Sequence, residues 1–155
     1  MKRAVLIVNP FASRVTEERI SAVERALMRS AYVRTVRTER PQHAVELARE
    51  AGEADALIVF SGDGGFNEVL NGVERSDQPL GFVPGGGTSV LPRALGLPRN
   101  PVAAAERLAD ALLENRTRTI STGRVNGRRF WFGAGIGVDA EAVRRIDERG
   151  RSPEG

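Results

Sequence analysis

The sequence contains no cysteine and a single histidine, His43, which excludes a disulfide framework and a cysteine-based zinc site and leaves almost nothing for a nitrogen-ligated metal centre. Any metal would have to be held by oxygen. Lysine is nearly absent as well: Lys2 is the only one, and every other basic residue is arginine. A Walker-type phosphate loop needs a lysine directly after its glycines, so that route to nucleotide binding is closed. Long apolar runs are also missing. Met1-Lys2-Arg3 followed by Ala4 to Val8 has the start of a signal peptide, but the run stops at Asn9-Pro10, and nothing approaches a membrane span. The expectation is a soluble, cytoplasmic protein.

What is present is an ordinary globular composition, 41% hydrophobic and 28% charged, in 155 residues. That length holds one complete domain and the start of another. The formal charge is +3, and the basic residues are scattered, the densest groupings being pairs such as Arg128-Arg129 and Arg144-Arg145. No basic stripe of the kind that tracks a phosphate backbone exists, so no nucleic-acid partner is expected.

Two continuous apolar runs, Ala4 to Val8 and Ala56 to Phe60, have the character of parallel strands buried on both faces. Between them, Ile20, Val23 and Leu27 mark a helix opening around Thr16-Glu17-Glu18, Val33 to Val36 a short strand, and Ala44, Leu47, Ala48 and Ala51 a second helix. Phe66, Val69, Leu70 and Val73 continue the alternation as a helix, Leu80 to Val83 as a strand, and Val102 to Leu113 as a further helix. This order predicts an α/β fold with a mostly parallel sheet. The pattern then changes. Thr117 to Val125 and Arg128 to Phe132 flank Asn126-Gly127, a strong hairpin signal, and a short helix is expected from about Val138 to Glu148. A boundary near residue 116 is therefore expected, with 1–116 forming the α/β domain and 117–155 beginning a second, β-rich one. A hairpin and one helix do not enclose a core, and the hairpin edge at Phe130 to Phe132 favours self-association.

Nine of the 17 glycines lie between Ser61 and Gly96, six of them in two clusters that each follow a predicted strand. In Ser61-Gly62-Asp63-Gly64-Gly65-Phe66-Asn67-Glu68 the chain passes from a strand end into a helix, where glycines let successive N–H groups face an anion and the helix N-terminus adds partial positive charge. Pro84-Gly85-Gly86-Gly87-Thr88-Ser89 repeats the arrangement one strand later. Two such loops at neighbouring strand ends face one crevice, where open α/β sheets bind their ligands, and a nucleotide is the expected occupant. Gly135-Ile136-Gly137-Val138-Asp139-Ala140 also fits a dinucleotide fingerprint, but without the following unit and its acid about 20 residues on, and is set aside. Asp63 is the one acid inside either loop, and the simplest alternative to a chemical role is an aspartate bonding its own turn.

Ser61 through Gly72 resembles the GGDGTxNEVxNGL signature of the diacylglycerol kinase catalytic domain superfamily, which includes bacterial diacylglycerol kinases and sphingosine and ceramide kinases. NAD kinases and phosphofructokinases share the GGDG core but not the Asn-Glu-Val and Asn-Gly that follow it here, which argues against a kinase acting on NAD. Val8 to Ser13, Thr38 to Ala44 and Pro84 to Pro98 agree in order and spacing, and Phe130 to Ala140 resembles the start of that family's β-rich second domain. The resemblance implies a three-layer, Rossmann-like fold and a chain about half the usual family length.

Carried over by position, the resemblance implies that Asn9 and Ser13 lie beside the nucleotide and that Thr38 contacts it. Ser61, Gly62, Asp63, Gly64, Gly65 and Asn67 would hold the phosphates, with Glu68 just inside the following helix and Gly86, Gly87 and Thr88 in the second loop. Asp63 would organise magnesium and water or activate the acceptor hydroxyl. Ser61 replaces the first glycine of the signature, Gly65 its threonine, and in the second loop Gly86-Gly87-Thr88-Ser89-Val90 replaces Gly-Thr-x-Asn-Asp, so that Thr88 or Ser89 would supply a hydroxyl from a shifted position. The implied activity is an ATP- and Mg2+-dependent lipid kinase acting on a diacylglycerol-like or sphingoid-like hydroxyl, with peripheral contact at a membrane surface. The alternative is a nucleotide-binding module without catalysis.

Overall fold

The computed structural model describes residues 1–131. The helix expected near 138–148, the set-aside glycine fingerprint, Phe132 and most of the expected second domain lie outside the described residues. Among those described, the chain runs β1 (Lys2–Val8), α1 (Glu17–Leu27), β2 (Ala31–Arg37), α2 (His43–Glu50), β3 (Ala56–Ser61), α3 (Asp63–Gly72), β4 (Leu80–Pro84), α4 (Val90–Ala94), α5 (Pro101–Leu113), β5 (Gly123–Val125) and β6 (Arg128–Phe130).

The first four strands form one parallel sheet in the order β2-β1-β3-β4. The two central strands are apolar on both faces from Ala4 to Val8 and from Ala56 to Phe60, because both faces are covered there. Ala4, Leu6, Val8, Ile58 and Phe60 point to the layer of α1 and α5, where Ile20, Val23, Leu27 and Ala105 meet them. Val5, Ile7, Leu57 and Val59 point to the opposite layer, against Ala44 and Ala48 of α2 and Phe66 and Val69 of α3. Each fully buried leucine or isoleucine here contributes about 1.5–3 kcal/mol, so these strands hold the sheet ends rigidly. Thr16 caps α1 by accepting the Arg19 N–H at 3.3 Å, and Asn100 caps α5 by accepting from Val102 and Ala103 ahead of Pro101.

Because β1 leads outward to β2 and β3 leads outward to β4, the chain reverses direction across the sheet between β1 and β3. The loops after these two strands leave toward opposite layers and open a crevice at their carboxyl ends. No helix among the described residues is long and apolar enough to cross a membrane.

Two expectations are corrected. Thr117 to Thr122 is not strand: the hairpin holds only Gly123–Val125 against Arg128–Phe130, closed by Asn126 and Gly127 at φ 48° and 78°. The ladder ends where β6 does, at the pair Gly123–Phe130, and among the described residues 117–122 have no strand to pair with; there the Phe130 ring lies over Gly123, where a Cβ would stand 2.1 Å from it. The helix α4 is unexpected, and its origin belongs to the site.

Candidate functional site

Asn9, Thr38, Ser61 and Pro84 stand at the carboxyl ends of β1, β2, β3 and β4, so the four sequence segments singled out above meet at one end of the sheet. Backbone bonds tie them together. The Asn9 N–H donates to the Phe60 carbonyl at 3.0 Å, Thr38 N–H to Val8 at 2.9 Å, Gly85 N–H to Ser61 at 2.8 Å, and Arg14 N–H to Gly85 at 2.9 Å. Asn9 also folds its own loop, its Oδ1 accepting the Phe11 N–H at 3.0 Å. Ser13 is exposed on that loop, and Thr38 is buried beneath it.

The glycines of the two turns fall into two groups. At Gly65, Gly85 and Gly86 a side chain would collide with the protein itself: the nearest contacts of an added Cβ are Ser61 Oγ at 2.1 Å, Val15 Cγ2 at 2.8 Å and Gly62 Cα at 2.9 Å. These residues are small so that the turns after β3 and β4 can pack together. Gly64 and Gly87 have no such reason among the described residues, of which an added Cβ would meet none within 4 Å, and neither has a positive φ. Both are exposed. Gly64 sits in the first turn of α3, where alanine would favour the helix by up to about 1 kcal/mol. A glycine that neither packing nor backbone conformation requires leaves room for something outside the protein.

Ser61 and Gly65, the two departures from the family signature, are spatial neighbours. The Ser61 side chain fills the space that a residue 65 side chain would take, and its hydroxyl is buried with no hydrogen-bond partner among the described residues. One substitution accommodates the other.

Asp63 has a definite structural partner. Its two carboxylate oxygens accept the backbone N–H groups of Val90 at 2.9 Å and Leu91 at 3.1 Å, so the first residue of α3 caps the amino end of α4. Local sequence supplies no such cap, because Ser89 lies at φ 47° with its hydroxyl donating to the Gly86 carbonyl at 2.9 Å. The acid therefore bonds the second glycine turn rather than its own. Ser89 is thereby committed inside its loop, which leaves the exposed Thr88 as the loop hydroxyl open to solvent.

Glu68 faces elsewhere. Its Oε1 accepts the Gln42 N–H at 3.2 Å, holding a residue at φ 66° where α2 begins. Asn67 is half-buried on the first turns of α3. His43 accepts the Glu39 N–H at 3.1 Å, and Arg40 bonds Glu46, whose carboxyl is held below its ordinary 4.5 chiefly by that hydrogen bond. Among the described residues no group of three metal-ligating side chains occurs. A groove of about 510 Å³ runs along the free edge of β4 past Leu80, Phe82, Leu97 and Trp131; it is separate from the glycine turns.

A four-stranded parallel sheet covered by helices on both faces, with two hydrogen-bonded glycine turns at its switch point, defines a doubly wound α/β protein. The sequence profile of the diacylglycerol kinase catalytic domain matches residues 3–125, and the chain belongs to that family. It is 36% identical over 143 residues to a diacylglycerol kinase of Bacillus subtilis, covering 88% of this chain and 46% of the relative. A diacylglycerol kinase of Mycobacterium tuberculosis is 38% identical over 114 residues, covering 70% and 35% of the two chains. Among solved structures, a diacylglycerol kinase from Bacillus anthracis superposes with a TM-score of 0.75 at 26% identity over 83% of this chain and 45% of the other. The chain spans about half the length of the relatives it matches.

Proposed function

We propose that this chain is the nucleotide-binding half of an ATP-dependent lipid kinase that transfers the γ-phosphate to a lipid hydroxyl. The observation that carries the reading is the pair of exposed glycines, Gly64 and Gly87, that the fold itself does not require, on two bonded turns at the switch point of the sheet. The triphosphate lies over the N-terminus of α3, taking the free N–H groups of its first turn as donors, with Thr88 reaching it from the second turn. Toward β2 the nucleotide passes Asn9 and Ser13 to Thr38. The sheet provides three inter-strand spacings between β2 and β4, about 14 Å, for that span.

Mg2+ bound with the nucleotide would neutralise phosphate charge, with Asp63 the residue of this chain placed to hold its water. Asp63 is the acid of the site. Two backbone bonds hold its carboxylate in one orientation, and each oxygen retains a lone pair for a metal-bound water or the acceptor. In the reaction the lipid oxygen forms the new bond to the γ-phosphorus, the bond from that phosphorus to the β,γ-bridging oxygen breaks, ADP leaves with the electron pair, and the hydroxyl proton passes to a base. Residues 117–155 begin the second, β-rich domain, which supplies the acceptor side. Membrane contact is peripheral, and the chain associates with itself through the β5 edge of the hairpin, since Asn71 bonds β6 at Arg129.

A chimera tests this: residues 1–131 of this chain replace the corresponding part of the Bacillus subtilis diacylglycerol kinase. The expected result is transfer of label from radioactive ATP to diacylglycerol or sphingoid micelles. A folded chimera that binds ATP yet labels neither acceptor would support the non-catalytic alternative.

A further inference from the structure

Asn71 and Gly72 are poor helix formers, yet they close α3. Gly72 is explained by packing, since a Cβ there would lie 2.2 Å from the Val45 carbonyl of α2. Asn71 has another reason. Its amide nitrogen donates to the Asn67 carbonyl at 2.8 Å and to the Arg129 carbonyl at 3.0 Å, while its Oδ1 accepts the Arg129 N–H at 2.8 Å. One side chain presents to β6 the donor and acceptor that a neighbouring strand would present. The Arg129 guanidinium bonds the Val73 carbonyl, at the helix end that favours a cation, and the Trp131 indole N–H donates to the Phe66 carbonyl at 3.3 Å. Phe82 packs edge-on with both Phe66 and Trp131, ring centres 5.0 and 5.2 Å apart.

The spacing of these contacts fixes a direction. From residue 71 back to 66 a helix rises about 7.5 Å, and from 129 forward to 131 a strand rises about 6.6 Å. The two match, so β6 runs antiparallel to α3, toward the helix N-terminus and the Asp63 turn. We propose that Asn71 is a positioning residue, which sets the register of β6 on α3 and so aims the strand at the phosphate turn. The register stands on the contacts alone; its consequence for the phosphate site rests on the proposed function. A slip of one residue would turn every β6 side chain to the other face and remove the Trp131 and Arg129 bonds together.

Trp131 is the only tryptophan, so its emission reports the docking directly. The full 155-residue chain is compared with Asn71→Leu and Asn71→Asp. In the leucine variant, exchange of the Arg129 amide should rise about tenfold, the worth of one net hydrogen bond, and Trp131 emission should shift to the red. Titration with Mg·ATP should change Trp131 emission in the wild type but not in the leucine variant, while the calorimetric Kd of the two stays within about threefold. Asn71→Asp keeps the acceptor for the Arg129 N–H and should fall between them; it also decides the matter if the leucine variant does not fold. Retained Arg129 protection together with a retained Trp131 response would overturn the proposal. Heat of binding without any Trp131 response in the wild type would overturn the aiming of the strand. Absence of heat in the wild type would refute the nucleotide reading, and exchange and emission of the unliganded variants would still decide the register.

Discussion

Replacing Gly65 by alanine puts a methyl group 2.1 Å from Ser61 Oγ and 2.7 Å from Ser61 Cβ. Gly65 is the third residue of α3, and an alanine in a helix is ordinarily worth up to about 1 kcal/mol over glycine. Here the overlap should dominate. Ser61 is 1% exposed at the end of a central strand and has nowhere to withdraw, so the cost is that of overpacking, about 1–3 kcal/mol. In a Ser61→Gly background the obstacle is gone, and the same substitution should become neutral or stabilising. The double-mutant cycle should thus show a coupling of about 1–4 kcal/mol, the overlap removed plus whatever helix preference is recovered. Urea unfolding of the four proteins, followed by circular dichroism, gives the midpoints. Equal effects of Gly65→Ala in both backgrounds would mean that Ser61 moves aside, and that the two departures from the family signature are unrelated.

Asp63→Asn keeps one of the two acceptors that cap α4, so amide exchange at Val90 or Leu91 should accelerate and stability should fall by about 1.5–3 kcal/mol, the worth of a bond to a charged acceptor. In the chimera the same change should abolish most lipid phosphorylation and leave ATP affinity within a few fold; near-normal turnover would reduce Asp63 to a cap. Glu17 and Glu46 have carboxyls held below their ordinary 4.5, chiefly by hydrogen bonds from Arg37 and Arg40. Their contribution is therefore complete above that value and is lost as the pH falls through the lowered pKa. Stability curves of the wild type and a Glu17→Gln, Glu46→Gln variant should differ at neutral pH and converge as the pH falls through the lowered carboxyl pKa values; a gap that persists once both carboxyls are protonated would contradict the ion-pair origin.

Sequence periodicity reveals most of this fold because β1 and β3 are covered on both sides and so admit only apolar residues. The outer strands are less legible: β2 reaches from Ala31 to Arg37, beyond its apolar centre, because the register with β1 carries its polar ends. What escapes the sequence depends on distant partners. The helix α4 has five residues with Pro92 in the middle, and its amino end is held by an acid 27 residues earlier. The roles of Asn71 and Glu68 likewise rest on Arg129 and Gln42, 58 and 26 residues away. An Asn-Gly pair at a helix end is the one visible signal, a local preference broken where a tertiary contact needs it. The site shows the same division. Loop positions at the strand ends follow from the alternation of strands and helices, whereas the exchange of a side chain between positions 61 and 65 is visible only in three dimensions.

The central claim is that the turn at Gly64 accepts phosphate, and titration calorimetry with Mg·ATP on the wild-type chain and on Gly64→Val tests it most directly. Because none of the described residues lies within 4 Å of the added Cβ, the variant should fold, with a melting temperature close to the wild type. Binding in the millimolar range or tighter is expected for the wild type, with loss of the signal in the variant, whose side chain stands where the phosphates approach. Equal affinity in both proteins, or no heat from a wild-type chain shown to be folded, would contradict it.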